Sequence, residues 1–243
     1  NYDNIPNFEK IDDRFKNLSY DPENKYTVPY TWGTLGIISN TAKVQEPITS
    51  WSAMFDPQYA GNVLLINNSR DALGIALLYL GYSVNTTDEA EIQEAYQLIA
   101  DAVKNGVYQG KVMDEVFQKM EGGNAAIATS YVVPEEGSNW FVDAMCVLKT
   151  SQHKEEAEAW INFMASTEAN LRNMDYIWYA SPNAEALETY PAYYEETYGE
   201  PLDPALYEIM APSQEVLDRC EAYLVLPAET RTLYNDLWTQ LGI

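Results

Sequence analysis

Between Gly61 and Leu80 the chain runs from an apolar segment, Val63–Ile66, through a polar knot, Asn67-Asn68-Ser69-Arg70-Asp71, into a second apolar stretch, Ala72–Leu80. A short apolar run ended by turn residues reads as a buried strand. A longer apolar stretch opened by cap-forming side chains reads as a helix. Strand, polar turn and helix in that order form the repeating unit of α/β proteins. Ligands settle at such junctions, because strand ends and free helix N–H groups converge there.

The rest of the chain extends the pattern. Residues 1–25 are polar and loop-like, and a β-type segment, Tyr26–Tyr30, leads into an apolar run over Gly33–Ser39. Thr49-Ser50-Trp51 predicts a helix start with a hydroxyl cap, and Thr86-Thr87-Asp88-Glu89 a capping box. Apolar residues Ile92, Ala95, Tyr96, Ile99, Ala102 and Val103 share one face of the helix that follows. A short helix over Asp114–Glu121 should end at Gly122-Gly123. Strands are expected at Ala125–Thr129 and Phe141–Leu148. A helix over His153–Ala165 should bury Ala157, Trp160, Ile161 and Met164, another should run from a Ser213 cap to Tyr223, and an amphipathic one should close the chain with Leu233, Tyr234, Leu237 and Trp238.

Charge narrows the function. Asp plus Glu number 37 against 14 Lys plus Arg, a net charge of −23. Nucleic-acid binding needs the opposite field. An acidic surface favours cationic ligands, although solubility alone accounts for acidity as well. One histidine, His153, expected to face solvent, and two distant cysteines, Cys146 and Cys220, support neither a zinc site nor a Ser-His or Cys-His nucleophile. No cofactor is expected. No apolar run approaches the ~20 residues of a membrane span, and the absence of a leader before Asn1 fits a cytosolic chain or the trimmed form of an exported one.

The 19 tyrosines and 6 tryptophans are the other oddity. Several lie in turn-rich settings: Tyr30-Thr31-Trp32-Gly33, Tyr131, Trp140-Phe141 and Ile177-Trp178-Tyr179. Core packing accounts for any one ring taken alone. Rings combined with carboxylates form a box for alkylammonium ions, each ring face contributing roughly 0.5–2 kcal/mol and the carboxylate adding charge-assisted hydrogen bonds. Asp143, inside the apolar stretch Trp140–Val147, is costly to bury unless paired or turned to a ligand. Asp71 at a helix start either complements the helix dipole or serves the same box. Paired carboxylates also suit a glycosidase, which spacing in the sequence leaves open.

Taken in order, the segments Tyr26–Gly36, Thr49–Trp51, Gly61–Asp71, Leu80–Asp88, Val133–Gly137 through Asp143, Ile161–Met164 and Tyr179–Asn183 resemble the periplasmic spermidine/putrescine-binding proteins of ABC importers. The resemblance implies an α/β type II binding-protein fold, two lobes joined by crossing strands and closing on ligand. Residues 26–143 with 213–243 would form a C-terminal-type lobe, and 1–25 with 144–212 an N-terminal-type lobe that is incomplete. It implies ligand contacts from Asp143, Asp71 (where relatives often carry Glu), Asn68, and the aromatics Tyr131, Phe141, Tyr179, Trp140 and Trp32. It also implies a membrane permease as partner and a periplasmic or cell-surface location, compatible with a lipid anchor but not with insertion of this chain into the bilayer.

Three departures qualify this expectation. The chain begins where relatives are about a third of the way through, Tyr131 runs directly into Val132-Val133-Pro134, and Leu224 and Val225 stand where relatives offer a polar side chain to an amine. The reading is a polyamine-binding component of an importer, not an enzyme. Its rivals are a type II binder of another solute, an amino-acid binder needing Arg70 for the ligand carboxylate, a carboxylate-dependent hydrolase, and a partial lobe with a structural or docking role.

Overall fold

A computed structural model describes residues 1–243 apart from Asp114, Tyr131, Ile243 and the side chain of Ser130. The strands are β1 (Val28–Thr34), β2 (Gly36–Ser39), β3 (Val63–Ile66), β4 (Tyr108–Val112), β5 (Ile127–Ser130), β6 (Ser138–Met145) and β7 (Cys220–Ala222). The helices are α1 (Ser69–Tyr79), α2 (Glu89–Lys104), α3 (Val116–Glu121), α4 (Lys154–Met164), α5 (Thr167–Ile177), α6 (Ala184–Tyr198), α7 (Pro204–Met210), α8 (Gln214–Leu217) and α9 (Ala228–Gln240). The chain divides into two units, residues 1–33 with 141–213 and residues 34–140 with 214–243. Two of the three passages between them fall inside strands, at Gly33/Thr34 in β1 and Trp140/Phe141 in β6. Strands and helices mix along the chain in an α/β fold.

In the second unit a four-stranded sheet has the order β2-β5-β3-β4, with β3 parallel to both neighbours and β2 antiparallel to β5. A central parallel strand is covered on both faces, hence the uninterrupted apolar run of β3. Val63 and Leu65 join the core formed with α1, α2 and α9, while Leu64 joins Val112, Val116, Met120 and Ala128 on the other side. That split is the two-residue alternation of a strand. α1 begins at Ser69, three residues earlier than expected, because Asn68 rather than Asp71 is the cap. Its side chain accepts from the N–H groups of Arg70 and Asp71. α2 is likewise capped by Asp88, while the Thr86 hydroxyl bonds Glu91, so the expected Thr86/Glu89 box does not form. The start expected at Thr49–Trp51 is a short 3₁₀ turn capped by Ser50, and Trp51 is fully buried with its Nε1 donating to the Gly137 carbonyl at 2.9 Å.

The helix expected from Ser213 to Tyr223 is another correction. α8 stops at Leu217 and the chain turns into β7, where Cys220, Glu221 and Ala222 pair in parallel with Ser138, Asn139 and Trp140 of β6. Strand pairing outcompetes local helix propensity here. Gly137 makes the approach feasible, having φ +86° and a position where a Cβ would lie 1.9 Å from the Arg219 carbonyl oxygen.

In the first unit α4 packs on the N-terminal turns with Val28 of β1 in the same core, and α5 to α7 close a second core around Met174, Tyr190 and Met210. Three helices, α5 to α7, fill a stretch left without an expected structure. α4 buries a different face from the one predicted: Ile161 is buried, but Trp160 is 60% exposed and Glu158 is turned inward. Polar partners explain the rotation, since Asn4 Nδ2 donates to Glu158 and Asn7 donates two hydrogen bonds to Asn162, from its backbone N to Oδ1 and from Nδ2 to the carbonyl. His153 is exposed, as expected, and both cysteines are free thiols. Among the described residues no helix is long and apolar enough to cross a membrane.

Gly137→Ala should lower stability by roughly 2–5 kcal/mol, combining a left-handed backbone penalty of about 1–2 kcal/mol with overpacking of about 1–3 kcal/mol. Gly61→Ala, at φ +71° with open space around the site, should lose only the backbone part. Urea unfolding of the two variants checks the difference, and equal losses would contradict the role assigned to the Arg219 approach.

Candidate functional site

The second unit holds Asp71 in the first turn of α1, with its side chain largely removed from water. The Tyr223 hydroxyl donates to Asp71 Oδ1 at 2.8 Å, and Asn139 Nδ2 reaches the same oxygen at 3.5 Å. Burial pushes the Asp71 carboxyl above its ordinary range, and the Tyr223 hydrogen bond and the Arg70 charge oppose that rise only in part. Tyr223 is itself held well above the usual phenol range, by burial first and then by the Asp71 charge. Asn68 lies exposed beside this carboxylate with its side-chain oxygen occupied as the α1 cap. Trp140 is partly buried in β6, in register with Ala222.

Arg70 is committed elsewhere. Its guanidinium lies 4.6 Å from the Tyr223 ring centre and 5.6 Å from that of Tyr234, and Nη2 donates to the Val84 carbonyl and Asn85 Oδ1. Asn85 then ties down the strand after it, accepting from Leu224 N and donating to the Ala222 carbonyl.

In the first unit Asp143 lies exposed on β6 and accepts from the buried Thr31 hydroxyl at 3.0 Å. Tyr20 and Tyr30 are raised above the phenol range by burial first and by the Asp143 charge among the remaining causes, which puts both hydroxyls within its field. The loop carrying Tyr20 is organised by Asp21, whose carboxylate accepts from Lys25 N, Tyr26 N, Thr27 N and the Thr27 hydroxyl. Phe141 and Tyr179 meet edge-on with ring centres 6.0 Å apart, and Phe141 packs over Gly33, where a Cβ would come within 3.1 Å of the ring.

Of the aromatics expected to line a box, Phe141 and Tyr179 are therefore together, and Tyr131 lies outside the described residues. Trp32 requires correction. At 1% exposure it is a core residue, packed at a tilt against Phe15 and donating through Nε1 to the Ser181 carbonyl. Sequence reading missed Tyr20, Tyr30, Thr31 and Tyr223 as neighbours of the carboxylates. Long-range contacts bring them near: β1 beside β6, the loop anchored by Asp21, and Asn85 holding the segment after β7. Among the described residues no cluster of three His, Cys, Asp or Glu side chains is placed to hold a metal ion.

The profile of the bacterial extracellular solute-binding proteins matches residues 2–194. The chain belongs to that family. The spermidine/putrescine-binding periplasmic protein of Escherichia coli is 31% identical over 198 residues, covering 75% of this chain and 57% of that protein. The chain thus spans little more than half the length of this relative. A Listeria monocytogenes protein assigned provisionally to spermidine/putrescine ABC transport superposes with a TM-score of 0.88 at 32% identity, covering 100% of this chain and 77% of that one. The spermidine/putrescine transporter substrate-binding protein of Streptococcus pneumoniae gives 0.82 at 30% identity, with 100% and 76% covered. The resemblance read from the sequence is the one these comparisons find.

A carboxylate whose folded-state pKa is raised costs stability above its unfolded pKa, and that cost disappears once pH falls below it. Asp71→Asn in this solute-binding protein should therefore raise the urea midpoint at pH 7. The difference from wild type should shrink as pH falls through the carboxylate range. A variant that is less stable at pH 7 would mean that Asp71 is a structural ion and not a strained binding group.

Proposed function

We propose that this chain carries the ligand-binding function of an ABC importer outside the cytoplasm and that its ligand is a polyamine such as putrescine or spermidine. The observation that carries the reading is the state of Asp143. It is exposed, in the field of Tyr20 and Tyr30, and no cationic side chain among the described residues pairs with it. A carboxylate with tyrosine hydroxyls and rings near it and no internal cation is a receptor for an external one. An alkyl amine, with a reference pKa of about 10.4, stays protonated at neutral pH, and a carboxylate neighbour favours that form. The names of the 30–32% identical relatives support the same ligand class.

Asp143 would grip one ammonium group, with Phe141 and Tyr179 as aromatic walls. Asp71, with Asn68 beside it and Trp140 in the same unit, would serve another ammonium. No covalent chemistry and no cofactor are part of this reading, and the membrane permease of the importer is the partner it requires. An amino-acid ligand is disfavoured because Arg70, the side chain that would take its carboxylate, is stacked between two tyrosines and bonded to Val84 and Asn85.

Calorimetric titration of the full-length protein with putrescine, spermidine and spermine tests the ligand. Asp143→Asn should weaken the best of the three by roughly tenfold to a hundredfold, the value of a hydrogen bond to a charged group. Absence of binding by the wild type would sink the polyamine reading, and an unchanged Kd in the variant would remove Asp143 from the site.

A further inference from the structure

Leu224 and Val225 are exposed and apolar where a polar side chain was expected, yet the residue just before them is a tyrosine turned inward. Its position is fixed from three sides. Asn85 holds the backbone on both flanks, accepting from Leu224 N at 2.8 Å and donating to the Ala222 carbonyl at 2.9 Å. The ring lies against the Arg70 guanidinium. The hydroxyl occupies space left by Gly74, where a Cβ would stand 3.1 Å from it. That hydroxyl and Asn139 Nδ2 both address Asp71 Oδ1. Among the described residues, no side chain donates to Oδ2.

We infer that Tyr223 is a positioning residue, which holds Asp71 with Oδ1 engaged and Oδ2 presented to an ammonium group of the ligand. Gly74 belongs to the same device, since its missing side chain is what lets the hydroxyl reach the carboxylate from the buried side. This inference rests on the polyamine reading for the identity of the cation. The placement of the carboxylate does not. A carboxylate fixed by a neutral donor keeps its full charge for the ligand, whereas a lysine or arginine bonded in the same place would compete with an ammonium ion. Arg70 does neither, because its Nη2 is directed to Val84 and Asn85.

The charged and titratable groups around Asp71 are Arg70 on α1, Tyr223 after β7 and, one step further, Tyr234 on α9. Glu221 lies behind Asn85, and Glu91 acts on Tyr234 from α2. Among the described residues, only the Tyr223 hydroxyl and Asn139 touch the carboxylate by side-chain hydrogen bonds. Removing a hydrogen-bond donor from a carboxylate disfavours its charged form. Binding of a cation should then fade at a higher pH.

The test is Tyr223→Phe, which keeps the ring over Arg70 and removes the hydroxyl, alongside Gly74→Ala and the double variant. Putrescine affinity should fall about tenfold in Tyr223→Phe, and the pH at which binding is lost on acidification should move up. Gly74→Ala, displacing the hydroxyl by a few tenths of an ångström, should give a smaller loss of about threefold that is absent in the Tyr223→Phe background. Carbon-13 titration of the Asp71 carboxyl without ligand should show a raised midpoint in both single variants. A merely structural tyrosine would lower the melting temperature and leave that midpoint where it is. An unchanged Asp71 titration in both single variants overturns the inference, and Gly74→Ala alone suffices should Tyr223→Phe fail to fold. A wild type that binds no polyamine overturns the ligand reading, while the ligand-free titration still decides whether Tyr223 sets Asp71.

Discussion

Removing a carboxylate from water costs several kcal/mol unless hydrogen bonds or a counter-charge replace the lost hydration. Asp71 carries that cost at the start of α1, and much of the second unit is arranged around it. Asn68 caps the helix and leaves the Asp71 side chain free for other partners. Tyr223 supplies a neutral donor, Gly74 leaves room for it, and Asn85 fixes the strand end from which it projects. Arg70 lends positive field without closing an ion pair. The carboxyl nonetheless stays raised above its ordinary range. A group left partly uncompensated in the folded protein is one that gains when a cation arrives.

The first unit solves the opposite problem. Asp143 remains in contact with solvent, and the protein shapes its surroundings instead of its solvation. Thr31 directs the carboxylate, and the Asp21 knot fixes the loop that bears Tyr20. For Asp21, burial alone would raise the pKa, but its hydrogen bonds outweigh that and hold it below the usual range. The stability it contributes is present above its unfolded pKa and is lost as pH falls through the depressed folded value. The order of this loop therefore persists to a lower pH than an ordinary carboxylate would sustain.

Much of this was legible in the sequence where one local signal dominates. Val63–Ile66 is a strand with the bounds expected, because a four-residue apolar run between turn residues has few other solutions. Asp143 stood out as a carboxylate that an apolar stretch would bury at a cost, yet it is exposed, whereas Asp71, which stood out as a helix-start carboxylate, is the one that burial raises. The sequence was silent where distant partners decide. α4 rotated away from its most hydrophobic face because Asn4 and Asn7 supply polar contacts from 150 residues away. β7 replaced an expected helix because β6 was there to pair with it. Trp32 looked like a box wall and is core, since a large ring near a ligand motif and a large ring beneath one have the same local sequence. Tyr223 carries no local signal of its role, since it meets Asp71 only through a contact across 152 residues of chain.

Charge recognition at two carboxylates can be separated from general affinity for small organic ions by one pair of ligands. Putrescine and 4-aminobutyrate share a four-carbon chain and one ammonium group, and differ at the other end in the sign of the charge. Calorimetric titration of the full-length protein should give saturable binding with putrescine and no measurable heat with 4-aminobutyrate, whose carboxylate would face Asp71 or Asp143. Equal binding of the two, or preference for 4-aminobutyrate, would contradict recognition of the ligand by carboxylates.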